Sequence, residues 1–234
     1  MKKFTTSIVI CLLLFVVNHA NADLTLTAVD GDWSNPVGDG TSTVQYLTVS
    51  GIGYGNGTQD QIRWGDPVDN DKSGLGFTGV AGDGTTSTFD IGNAFQIGQL
   101  AHFNNPIWSG SEITSADLTV DLDFLGAAGT KSFTFTLLIN ETPNTSDAAA
   151  SADIISFPSS YTDETFDIGG MLYTLQLLGF GSDPLAPLSQ FSSIEGYDNT
   201  TLLWGKIVPV PVPGAVLLGM LGLSVAGVKL RKHA

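Results

Sequence analysis

Between Asp23 and Ile207 the chain carries one histidine, His102, and no cysteine, so imidazole and carboxylate chemistry are what its side chains can offer. A lone imidazole beside a carboxylate can act as a general base. His102 stands in His102-Phe103-Asn104-Asn105-Pro106, however, and Asn-Asn-Pro is turn chemistry. The expected role of His102 and Asn104 is therefore to hydrogen-bond loop backbone at the end of a strand and fix a corner of the fold. A ligand or catalytic role is the alternative, for which the neighbouring sequence supplies no partner. Asp69-Asn-Asp71-Lys-Ser73-Gly74 resembles the start of a calcium loop, with oxygen-bearing side chains at alternate positions before the glycine, and Asp66 lies just before it. The bidentate Glu required at the twelfth position is Val80, which excludes an EF-hand. What remains is a β-loop site for Ca²⁺ or, as expected, a solvated turn, and no other cofactor is expected. Indole rings stack on the apolar faces of sugars, so the four tryptophans are candidate glycan contacts. Trp64 and Trp204 lie in apolar contexts and are assigned to the core. Trp33 and Trp108, beside Asp32 and Ser109-Gly110, are the surface candidates.

These residues need elements to position them. Leu118, Val120, Leu122 and Phe124 alternate with Thr119, Asp121 and Asp123, the pattern of a half-buried antiparallel strand. Phe133, Phe135 and Leu137 repeat it in Lys131 to Asn140, and the five residues Gly126 to Thr130 make a hairpin loop between the two. Met171, Tyr173, Leu175 and Leu177 alternate again, joined to Phe166 and Ile168 across Gly169-Gly170. Further strands are expected at Leu24 to Leu26, Thr43 to Gly55, Phe95 to Phe103 and Thr200 to Ile207. Glu141 to Glu164 resists assignment beyond a short helix at Ser146 to Ile155. The expected fold is all-β, a β-sandwich of antiparallel strands of jelly-roll type, with a barrel as the alternative.

The ends read differently. MKKFTTSIVICLLLFVVNHANA has two lysines, an apolar stretch and small residues at Ala20 and Ala22, so residues 1–22 are a secretory signal peptide and signal helix cut after Ala22. That removes Cys11, the only cysteine, and with it disulfides, thiolate nucleophiles and Cys-ligated zinc. The body, residues 23–207, sets four basic residues against all 23 acidic ones, a net charge of −19 that repels nucleic acid. Residues 208–234 form a tail: prolines at Pro209, Pro211 and Pro213 force an extended spacer. Gly214 and an uncharged run to Val228 follow, and Lys229, Arg231 and Lys232 close it with positive charge. From Pro213 to Val228 a helix reaches about 24 Å against a hydrocarbon core of roughly 30 Å. It is a marginal transmembrane helix whose basic end faces the cytoplasm, with a permanent anchor or a buried core helix as the alternatives.

Proline motif, apolar segment and basic end resemble a PEP-CTERM sorting signal, the tail recognised by exosortase in Gram-negative bacteria that make exopolysaccharide. Val208 to Gly214 reads V-P-V-P-V-P-G where the standard motif is V-P-E-P. Within the body, Trp64-Gly65-Asp-Pro67 followed by Ser73-Gly74-Leu-Gly-Phe77 is similar to the THxN, or choice-of-anchor K, family. The same holds for His102, Asn104, Asn105, Pro106 and Ile107, and for Ser193-Ile-Glu195-Gly196-Tyr-Asp-Asn199, with Ala101 in place of the motif's Thr. The resemblance implies signal peptidase and exosortase as partners, transient residence in the inner membrane, and a final place at the cell surface or outside the cell. Exopolysaccharide, in a biofilm matrix, is the expected associate. It implies no catalytic or cofactor-binding residue, and the expected function is non-catalytic. The alternative is a secreted glycoside hydrolase or carbohydrate-binding protein, since paired carboxylates need neither His nor Cys.

Overall fold

The computed structural model describes residues 23–52, 57–82, 84–126, 129–159 and 164–210. In chain order its strands are β1 (Asp23–Val37), β2 (Gln45–Ser50), β3 (Thr58–Trp64), β4 (Ser73–Gly79), β5 (Ser87–Asp90), β6 (Ala94–Asn104) and β7 (Ser115–Phe124). They continue as β8 (Gly129–Asn140), β9 (Asp153–Ser156), β10 (Phe166–Ile168), β11 (Met171–Phe180), β12 (Gln190–Ser193) and β13 (Tyr197–Pro209). A 3₁₀ turn at Asp39–Thr43 is the only helical element among the described residues. The strands form two antiparallel sheets, in the orders β12-β9-β8-β7-β1-β5 and β10-β11-β13-β6-β4-β3-β2. The expected all-β class is what the chain adopts.

Alternation explains the pairing most clearly at β7 and β8. Ala116, Leu118, Val120, Leu122 and Phe124 are buried, and every second residue between them faces outward. Val120 pairs with Phe133 and Leu118 with Phe135, in the expected hairpin. Burying each large side chain contributes about 1.5–3 kcal/mol. On the outer face Thr119 and Thr134 hydroxyls meet at 3.0 Å, and Thr136 donates to Asp117 at 2.7 Å, so the polar rows are stitched across the same register. The second expected hairpin also forms: Gly169 and Gly170, at φ 62° and 87°, turn β10 back onto β11.

The buried side chains of both sheets join in one cluster, with Phe133, Phe135 and Leu118 from one and Trp64, Phe77, Leu100, Leu175 and Leu203 from the other. The sheets touch most closely where β1 meets β4. A Cβ on Gly79 would collide with the Val29 carbonyl, and one on Gly31 with the Phe77 ring. Beside them the Val29 amide donates to the Ala81 carbonyl at 2.9 Å.

Two segments differ from expectation. Ser146 to Ile155 makes no helix: Asp147 caps a single turn through the amides of Ala149 and Ala150, and the chain then becomes β9. Ile154 and Ile155 are β-branched and pair with Asn140 and Ile139, which outweighs the helix propensity of the alanines before them. The last strand starts at Tyr197 and reaches Pro209, because Val208 and Pro209 pair with Thr174 and Tyr173. The proline spacer thus begins as sheet, at a strand end where a missing N–H is tolerated. The expected signal helix and transmembrane helix lie outside the described residues, as do Pro211, Pro213, Gly214, Lys229, Arg231 and Lys232. No helix among the described residues is long and apolar enough to cross a membrane.

Candidate functional site

The strand that brings in His102 is central in its sheet. β6 lies between β13 and β4, and residues Leu100 to Asn104 are buried on both faces, so alternation no longer sends any of them to solvent. His102 is fully buried, and neither ring nitrogen has a hydrogen-bond partner. Its ring lies against Trp64 at the end of β3, with centroids 6.0 Å apart and planes 21° apart. The Trp64 indole N–H in turn donates to Glu141 Oε1 at 2.8 Å. Glu141 is the residue after β8, and Asp153 opens β9, so the turn at Ser146 to Ala152 folds one carboxylate back onto the other. Asp153 Oδ1 accepts the Thr142 amide at 2.8 Å, while Oδ2 has no partner. A ring nitrogen of His102 and carboxylate oxygens of Glu141 and Asp153 all lie within 4.8 Å of one another.

Glu195 adds a further carboxylate. It follows β12, is buried, and has no hydrogen-bond partner on either oxygen. Asn104 holds its loop in place: the Asn104 amide donates to the Ser193 carbonyl at 2.8 Å, and the Gly196 N–H donates to the Asn104 carbonyl at 2.7 Å. Here the expected corner-fixing role is what Asn104 performs. His102 does not perform it, because neither ring nitrogen has a hydrogen-bond partner and one lies near the Glu141 and Asp153 carboxylates.

Burial lowers the His102 pKa to about 3, assisted by the nearby Arg63 charge, so the ring is neutral at physiological pH. Burial raises Glu141 well above the ordinary carboxylate range, and the Asp153 charge raises it further. Asp153 is raised by burial against the hydrogen bonds it accepts. Glu195 reaches about 7 through burial and the Glu141 charge. Each of these groups thus favours its uncharged form, and the three carboxyls would need a positive countercharge to ionise. The nearest basic residues do not supply it: Arg63 donates to Gln61 and to the Lys72 carbonyl, and Lys72 to the carbonyls of Thr43 and Gly65. Arg63 also stacks over Phe103, 3.4 Å from the ring centroid, on the face of β6 away from His102.

The remaining motif residues frame this centre. Gly65, at φ 89°, packs where a Cβ would strike Ile107. The Asn105 amide donates to the Lys72 carbonyl at 3.0 Å, and the Pro106 carbonyl accepts the Val68 amide at 2.9 Å. A recess of about 430 Å³ opens beside them, lined in part by Val68, Ile107, Trp108, Glu112, Glu141 and Thr142. Trp108 is 63 % exposed at this recess, as expected of a surface tryptophan. Trp33 corrects its expectation: it is 7 % exposed and its N–H donates to the Asp60 carbonyl at 2.9 Å. Its partner Leu118 faces the core, so the register of β1 on β7 turns the indole inward despite the polar neighbours. Asp66, Asp69 and Asp71 are exposed, and the metal-type cluster among the described residues is formed by other side chains.

Glu141, Asp153 and Glu195 are the residues that sequence reasoning missed as ligands. Glu141 and Asp153 lie 12 positions apart in a segment with no periodicity, and Glu195 is 42 positions further on, so no local spacing marks them. The chain matches no protein-family model and no curated protein.

Proposed function

We propose that this chain is an exported, non-catalytic cell-surface or extracellular-matrix protein, built on a β-sandwich of jelly-roll type and associated with exopolysaccharide. The observation that carries the reading is Trp108, a large aromatic ring exposed beside a polar-rimmed recess, where exposed indole is suited to a pyranose face. The N-terminal segment and the proline-apolar-basic tail support export and sorting by exosortase, and the thiol-free, strongly acidic body suits a protein outside the cell. Titrating the purified protein with host exopolysaccharide should quench tryptophan fluorescence, and Trp108→Ala should abolish the change without altering the melting temperature. An unchanged signal in the wild type would remove polysaccharide binding. Intact mass spectrometry of protein from envelope and medium, with and without exosortase, tests the sorting: an unprocessed C-terminus at Ala234 in both hosts would overturn it.

One observation favours a second reading, a carboxylate-based glycoside hydrolase: Glu112 and Glu141 line the same recess as Trp108. Release of new reducing ends from the polysaccharide, lost in both Glu112→Gln and Glu141→Gln, would replace the binding role with this one.

A further inference from the structure

We infer that His102, Glu141 and Asp153, with Glu195 beside them, bind one divalent transition-metal ion that ties the two sheets together. The inference goes beyond the surface role proposed above and does not depend on it. It rests first on unpartnered atoms. A fully buried imidazole with both nitrogens free lies with one of them within 4.8 Å of carboxylate oxygens of Glu141 and Asp153, one Asp153 oxygen has no donor, and the Glu195 carboxylate, also without a donor, is near enough for its charge to act on Asp153. Leaving a buried polar group unsatisfied costs about 1–3 kcal/mol, and more for a charged one. A single cation would take one of the imidazole nitrogens together with the carboxylate oxygens.

The orientation of the ligands argues the same way. Glu141 accepts the Trp64 indole N–H, and Asp153 accepts the Thr142 amide through Oδ1 with Oδ2 left without a donor. Outer partners of this kind fix the orientation of metal ligands. Donors about 2.0–2.2 Å from an ion lie roughly 3–4 Å apart, so atoms already within 4.8 Å need only small side-chain rotations to close on it. Glu141 and Thr142 also line the recess beside Trp108, which provides a route in from solvent.

Ligand type selects the metal. Neutral imidazole with two or three carboxylates suits Zn²⁺ or Mn²⁺, whereas Ca²⁺ and Mg²⁺ favour all-oxygen shells. Position sets the role. His102 belongs to the seven-stranded sheet, while Glu141, Asp153 and Glu195 adjoin strands of the six-stranded one, so the ion joins the sheets at the end where no cysteine pair does so.

The test uses the full chain purified natively without added metal. Elemental analysis should find about one equivalent of Zn or Mn, and the chelator-stripped protein should bind Zn²⁺ or Mn²⁺ one to one by calorimetry, with a rise in melting temperature. Ca²⁺ and Mg²⁺ should bind far more weakly. His102→Gln and Asp153→Asn should each weaken binding roughly 100-fold or more, beyond the 10- to 100-fold seen for outer-shell changes. Should either variant fail to fold, pulsed electron paramagnetic resonance of the Mn²⁺-loaded wild type decides, because a histidine ligand gives nitrogen coupling. Absence of saturable binding, equal preference for Ca²⁺, binding unchanged in folded His102→Gln, or no nitrogen coupling would each overturn the inference.

Discussion

Trp64 both stacks on the imidazole of His102 and donates its N–H to the carboxylate of Glu141, so one side chain orients two groups of the buried cluster. Replacing it with phenylalanine keeps an aromatic ring beside His102 and removes the donor. Trp64→Phe should therefore weaken Zn²⁺ or Mn²⁺ binding about 10- to 100-fold while the far-ultraviolet circular dichroism stays that of the wild type. Calorimetric titration of the stripped protein measures it.

Metal-free protein should lose stability as pH rises from about 6.5 to 8. His102, Glu141, Asp153 and Glu195 are the titratable groups of this cluster, and the Arg63 charge acts on His102 from the other face of β6. The carboxyls are raised in the folded chain, Glu195 to about 7, so the folded state holds protons that the unfolded state has released. Stability is then fully present near the unfolded pKa and falls as pH climbs through the folded one. His102, lowered to about 3, acts in the opposite sense only below its unfolded pKa of about 6.5. The net loss should be on the order of 1–2 kcal/mol by urea denaturation. Saturating metal should reverse the slope, because it binds the deprotonated carboxylates.

Gly79→Ala should destabilise the protein by about 1–3 kcal/mol, since the new Cβ meets the Val29 backbone and not a side chain that can swing away. Denaturant midpoints at constant slope would show it.

Trp33→Phe should cost about 1–2 kcal/mol through the lost bond to the Asp60 carbonyl and leave polysaccharide binding unchanged. Trp108→Ala should do the reverse. Comparing melts and fluorescence titrations of the two variants separates a buried tryptophan from a contact residue.

Much of the sheet was legible because two-residue alternation is local: β7, β8 and β11 announce themselves in 10, 12 and 10 residues. The short edge strands β5, β9 and β12 do not, since four residues hold too few alternations to separate strand from turn. The cluster was legible only in half. Trp64, His102, Asn104 and Glu195 lie in motifs that stand out in the sequence, yet what gives His102 its partners is the return of the chain after β8. Trp33 misled because its polar neighbours lie on the opposite face of β1 and say nothing about the face that carries the indole.

The place of β13 has a consequence in time. It lies between β11 and β6, so it is the strand that joins β10-β11 to β6-β4-β3-β2. Synthesis runs from the N-terminus, and β13 is the last strand of the described chain to appear. Until it is laid in, the seven-stranded sheet is two fragments with open edges, and completion waits on pairings far apart in sequence. An enzyme that trims the C-terminus can act beyond Val210 and leave the sheet whole, whereas a cut a few residues earlier would remove its keystone.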